Sequence, residues 1–261
     1  MQDIKTSTPV TILGSLVAIL AIFVWLYVFM KFYNNYRSSG KKQSQYFALG
    51  LLSGGIAIIF LALELVTFQL FDAGTTWGHE YIGKDIIPGI NSYEAGIVFG
   101  IIAAVISSFA ILFFVLFSLS FFEDKMKWIV FPGLLLLIYV ILYLYYWPTA
   151  QLNAEGTDYD ITRSGDIEAI MIFLFLIPIF FPVVVFFLSA LQVRGNTFNF
   201  RRSLLLSFLF IVIGTGYTIE IVGGHELVSL FGRILILLFP VGVNLTLNPN
   251  NFVKRLLGAP T

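Results

Sequence analysis

The chain has 261 residues, 58% apolar and 11% charged, with a formal net charge of zero. With a mean hydropathy of +0.91, this composition is far from that of a soluble domain and reads as an integral membrane protein. It contains no cysteine, which excludes disulfides, thiolate metal sites and cysteine nucleophiles.

A helix needs about 20 apolar residues to cross a hydrocarbon core roughly 30 Å thick. Seven stretches reach that length, at approximately 9–33, 46–71, 95–121, 128–147, 168–193, 203–222 and 227–247. They predict an all-α fold, a single seven-helix transmembrane domain spanning 1–261, with no room for a soluble domain between the spans. The first stretch is expected to be a retained helix. It is too long for a signal peptide and has neither a basic segment before it nor a small-residue cleavage pattern after it.

Eleven of the fifteen Lys and Arg residues fall at one end of the predicted bundle, among them Lys31, Arg37, Lys41, Lys42, Arg201 and Arg202. Only Lys5, Lys84 and Arg163 fall at the other, and Arg233 lies within the seventh stretch. Basic residues concentrate in short cytoplasmic loops, so the amino terminus is expected outside and the carboxyl terminus inside a multi-pass cell-membrane protein. The two long outer connections are acidic, with Asp72, Glu80 and Asp85 in one and Glu155, Asp158, Asp160 and Asp166 in the other. Such charge runs are mostly solvating, and nothing in this charge pattern calls for nucleic acid.

Comparing the chain with itself suggests a repeat. Laying "QYFALGLLSGGIAIIFLALELV" on "RRSLLLSFLFIVIGTGYTIEIV" superposes Glu64 on Glu220. Laying "EAGIVFGII" on "ELVSLFGRI" pairs Glu94 with Glu226 and Gly100 with Gly232, and sets Arg233 opposite Ile101. The implied plan is two three-helix halves, 9–121 and 168–247, joined by a linker helix at 128–147.

The chemistry-bearing residues inside the spans are few. A charge facing lipid is costly, so intramembrane ionisable groups are expected to face the bundle interior, a cavity or a partner. At about 1.5 Å per residue, Glu64 and Glu220 stand roughly 27 Å from the basic end and Arg233 about 21 Å. Helical side chains lean towards the amino terminus of their helix, so the glutamates and the arginine lean towards one another. Two readings follow: an Arg233–Glu64 ion pair that fixes helix register, or a remaining carboxylate that binds a cation, a proton or a polar ligand. Tyr217, in "GTGYTIE", is a further candidate for lining that pocket. Thr215, Thr218, Ser107, Ser108, Ser53, Gly54 and Gly55 read first as small residues for close helix packing. Asn244 is expected to make an interhelical hydrogen bond. Tyr143, Tyr145, Tyr146 and Trp147 read as an interfacial aromatic belt.

Three familiar seven-helix chemistries fail on residues. All eight lysines are at loops or helix ends, so no retinal Schiff base is expected. The Pro-Gln dipeptide of the PQ-loop sugar transporters is absent, and two histidines, His79 and His225, do not make the three-histidine zinc site of ceramidase-type hydrolases. No cofactor and no metal are expected, and without a nucleophile–base pair in the spans no enzyme activity is expected either. The stretch "YNNYRSSGKKQSQYFALGLLSGGIAIIFLALE", a basic loop running into an aromatic-rich helix that ends in a carboxylate, resembles the membrane portions of prokaryotic seven-helix sensory proteins. That resemblance implies a sensor or receptor module, with output through a signalling partner because the chain stops at "NNFVKRLLGAPT" rather than running on into an output domain. The alternatives are a small-solute or ion transporter or channel, or an accessory subunit of a larger membrane complex.

Overall fold

The computed structural model describes residues 9–71, 85–87, 90–146, 151–152, 159–160, 165–222 and 226–258. Seven long helices dominate: α1 (Pro9–Ser39), α2 (Lys42–Phe71), α3 (Ser92–Leu119), α4 (Val130–Tyr146), α5 (Gly165–Gln192), α6 (Thr197–Val222) and α7 (Glu226–Leu247). Each contains a segment long and apolar enough to cross a membrane. A 3₁₀ turn over Glu123–Ile129 leads into α4, and a short α8 (Asn251–Leu257) follows α7. Two small antiparallel pairings, Asp85–Ile87 with Ile90–Asn91 and Gln151–Leu152 with Tyr159–Asp160, occupy the long connections. Asp72, Glu80, Glu155 and Asp158 lie outside the described residues.

The helices run beyond the apolar stretches at the basic end, because polar residues remain helical once outside hydrocarbon and the chain stops only at a breaker or a cap. Gly40 ends α1 with φ 64°, a left-handed conformation that a glycine adopts without a Cβ penalty. The Asn196 side chain accepts from Asn199 N at 3.0 Å and starts α6. Asn250 caps α8 through Val253 N at 2.9 Å, and Gly258 closes it with φ 80°.

Around the bundle α1 packs on α2, α2 on α3, α3 on α5, α5 on α6, α6 on α7, and α7 back on α1. Helix α4 sits outside this ring, against α3 and α5. Its large side chains Val130, Leu134, Leu137, Ile141 and Tyr145 are exposed, as are Leu16, Leu20, Phe23 and Tyr27 on one face of α1. In a bilayer these surfaces meet lipid.

The interior of the ring is aromatic. Trp25 of α1, Phe47 of α2, Phe114 and Phe117 of α3, Phe186 of α5, Phe210 of α6 and Phe239 of α7 are all buried. Their rings form one continuous network, with centroids 4.9 Å apart for Phe47–Phe117, 5.2 Å for Phe210–Phe239, 5.4 Å for Phe114–Phe239 and 5.7 Å for Phe117–Phe186. Tilted and edge-on pairs dominate, as ring quadrupoles favour. Six of the seven long helices contribute a ring, so the layer ties the ring of helices together.

Glycines let those rings in. Gly50 and Gly54 are four residues apart on one face of α2, the spacing that opens a groove for close approach. A Cβ at Gly50 would lie 2.7 Å from Phe114, and one at Gly54 would fall on the Trp25 ring. The neighbouring Gly55 has 3.7 Å to its nearest atom, a Trp25 Cβ. Gly54→Ala is therefore expected to cost about 1–3 kcal/mol by overpacking, while Gly55→Ala leaves thermal stability nearly unchanged. Melting temperatures of the two variants in one detergent check this, and equal losses would contradict the packing.

Proline supplies the other determinant. Pro240 within α7 has no N–H to offer the carbonyl four residues before it, that of Ile236. The Trp25 indole N–H donates to that carbonyl at 3.2 Å. The indole thus satisfies the backbone group that the proline orphans, as the membrane interior demands.

Candidate functional site

The aromatic layer lies in the half of the bundle nearer the basic end, so it divides the interior into two regions. On the far side stand Arg233 and Tyr217, two of the residues singled out from the sequence. Arg233, near the start of α7, has its guanidinium against α1, where a Cβ at Gly14 would come within 2.9 Å of Nη1. The missing side chain of Gly14 makes the room. Tyr217 of α6 is buried and turns the other way, its ring 6.2 Å from that of Phe175 on α5, which in turn lies 4.9 Å from Tyr139 of α4.

Between these two residues α6 and α7 touch backbone to backbone. An added Cβ at Gly216 would lie 3.1 Å from the Gly232 carbonyl, and one at Gly232 3.0 Å from the Gly216 carbonyl. Arg233 and Tyr217 therefore flank one glycine contact but serve different seams, α7–α1 and α6–α5. Glu64 and Glu220 belong to α2 and α6, and their side chains lie outside the described residues.

The small polar residues behave as packing groups. Thr218 Oγ1 donates to the Gly214 carbonyl at 2.8 Å and Ser108 Oγ to that of Ala104 at 2.9 Å, each within its own helix. Asn244 departs from expectation. Its Oδ1 accepts from Asn248 Nδ2 at 3.3 Å, one turn further along the chain instead of on a neighbouring helix. An asparagine near a helix end can reach the next polar side chain at i+4, which removes the need for an interhelical partner.

On the basic side of the layer the helix ends enclose a cavity of about 550 Å³. Its inner wall is Phe32, Phe117, Phe121 and Leu247, and its rim carries Asn35, Ser38, Ser39, Lys41, Gln43, Ser44, Arg202 and Asn248. The exposed Ser38, Ser39, Lys41 and Asn248 mark its mouth at the helix ends. Arg202, half-buried on α6, donates from Nη2 to the Leu247 carbonyl at 3.3 Å, where the last turn of α7 leaves acceptors unfilled. Gln43 Nε2 donates to the Ser120 carbonyl at 3.0 Å, just past α3.

From the sequence these residues serve only as an orientation signal. The stretches "NNYRSSGKKQSQ", "NTFNFRRS" and "NLTLNPNN" are polar where three helix pairs end, and that shared register was the legible trace of a common cavity. No described group of three or more His, Cys, Asp or Glu residues could hold a metal. No protein-family model, curated protein or solved structure matches the chain.

Proposed function

We propose that this membrane-spanning bundle is a receptor-type module. It binds a small ligand or ion in the half remote from the basic end, near Glu64, Tyr217, Glu220 and Arg233, and passes a helix rearrangement to a partner at the basic end. The observation that supports this reading is the aromatic layer. Rings from six helices fill the interior, so each of these helices feels a displacement of the others, since close-packed interiors shift between discrete arrangements. In this reading the chain carries out no chemical step.

A ligand-dependent thermal-shift screen on the purified protein tests the proposal, since a ligand specific to the folded state raises stability by mass action. The expected result is a compound or ion whose stabilisation is lost in Arg233→Gln and retained in Arg202→Gln. Stabilisation that is indifferent to Arg233, Tyr217 and both glutamates would remove the remote half as the site.

One observation favours a second reading. The cavity at the basic end has the form of a transporter vestibule open to one side, with the aromatic layer as a closed gate. The two readings differ in whether that gate ever opens.

A further inference from the structure

We infer that the cavity at the basic end is a binding site for a phosphate-bearing small molecule. The inference stands on the cavity itself and does not rest on the receptor reading of the remote half.

Size is the first argument, since about 550 Å³ falls in the ordinary range for small-molecule sites, roughly 300–1,000 Å³. It is far more room than a bare inorganic ion fills. Lining chemistry is the second. Arg202 and Lys41 bring two cations to the rim, and Gln43, Asn35, Ser38, Ser39 and Asn248 add amide and hydroxyl groups, while no carboxylate is among the described lining residues. The only described hydrogen bond of the Arg202 guanidinium is the one from Nη2 to Leu247. A guanidinium has five N–H donors in a planar fork matched to phosphate oxygens, so donors remain for an anion. Lys41 adds a mobile point charge at the mouth.

The inner wall defines the rest of the ligand. Phe121 is exposed and presents ring surface to whatever enters, while Phe32 and Phe117 are buried behind it and give the floor of the cavity an apolar backing. A molecule with its phosphate between Arg202 and Lys41 would rest a planar or apolar portion on the Phe121 ring. Two sources carry that chemistry: a soluble nucleotide-like compound, or the headgroup of a phospholipid reaching in from the adjacent leaflet.

The experiment is calorimetric titration of the full-length protein in detergent with adenosine triphosphate and, separately, with dioctanoyl phosphatidic acid, with inorganic phosphate as a third ligand. At least one organic probe is expected to bind more tightly than inorganic phosphate. Its affinity is expected to fall roughly tenfold or more in Arg202→Gln, the loss of a charge-assisted hydrogen bond, and by a smaller factor in Lys41→Gln. Binding of the nucleotide alone assigns a soluble source, and binding of the lipid alone assigns the headgroup. Arg202 also caps α7, so Lys41→Gln, a change at an exposed residue, serves if the arginine variant fails to fold. The inference is overturned if neither organic probe binds, if inorganic phosphate binds as well as both, or if Lys41→Gln and every folded Arg202 variant bind as the parent does.

Discussion

Replacing Trp25 with alanine is expected to lower stability by about 3–5 kcal/mol, the usual cost of emptying a buried aromatic site. Trp25 is fully buried, with ring centroids 6.2 Å from Phe114 and 6.0 Å from Phe239. Gly54 of α2 is shaped around its ring, so the vacated space has no side chain placed to fill it. The substitution also strands the Ile236 carbonyl that Pro240 leaves unbonded. An unsatisfied buried acceptor costs about 1–3 kcal/mol. Trp25→Phe keeps an aromatic ring in the site but removes the N–H together with the five-membered part of the indole, so the comparison with Pro240→Ala isolates the hydrogen bond. It is expected to lie between parent and Trp25→Ala in thermal denaturation, and Trp25→Phe combined with Pro240→Ala is expected to regain stability as α7 recovers its own hydrogen bond. A phenylalanine variant as stable as the parent would show that the indole N–H is dispensable.

Arg233→Ala is the second change with a large expected effect. Its guanidinium lies against Gly14 in the apolar body of the bundle, and the sequence leads one to expect Glu64 as its partner. If those groups form a buried pair, removing one member leaves the other charged and stranded, at about 3–5 kcal/mol. Glu64→Gln with Arg233→Gln is then expected to be milder than the sum of the single variants, the signature of coupling. Glu220→Gln is expected to matter less, because Glu220 is two residues from the end of α6 at Val222 and can reach interfacial water. Strictly additive losses for Glu64 and Arg233 would exclude the pair and favour a bound cation at Glu64.

The spans were legible because a bilayer imposes a length on apolar sequence, and each predicted stretch overlaps one long helix. Their ends were less legible. The first helix was expected to finish near 33 and runs to Ser39, and the sixth was expected to begin near 203 and begins at Thr197. Hydropathy reports where hydrocarbon ends, whereas Gly40 and Asn196 set where the helix ends. Helix α8 was missed, although Asn250 and Gly258 frame it with a recognisable cap at each side. Loop composition hid it, since seven residues cannot span a membrane.

The interior was not legible at all. Trp25, Phe47, Phe114, Phe186, Phe210 and Phe239 are spread over more than two hundred residues, in a chain with 28 phenylalanines, and nothing local distinguishes a ring facing the centre from one facing lipid. The cavity at the basic end left only a faint trace, the polar stretches where the helices end. Of the sequence candidates, Tyr217 and Arg233 can be set in context, on separate seams. The proposed equivalence of Glu64 and Glu220 falls on side chains outside the described residues.

In the receptor reading the aromatic layer is expected to keep the two halves of the bundle apart with and without ligand. Because the chain has no cysteine of its own, a single introduced thiol reports its own exposure to a membrane-impermeant reagent. Cysteines at Ser39 and Asn248 are expected to react only from the basic side, protected in intact cells, and those at Thr157 and Thr215 only from the opposite side. Cysteine at Phe210, within the layer, is expected to react from neither, with or without a stabilising ligand. A thiol at Thr215, Phe210 or Asn248 that reacts from both sides would contradict the account, because alternating access through the layer is what a transporter requires of it.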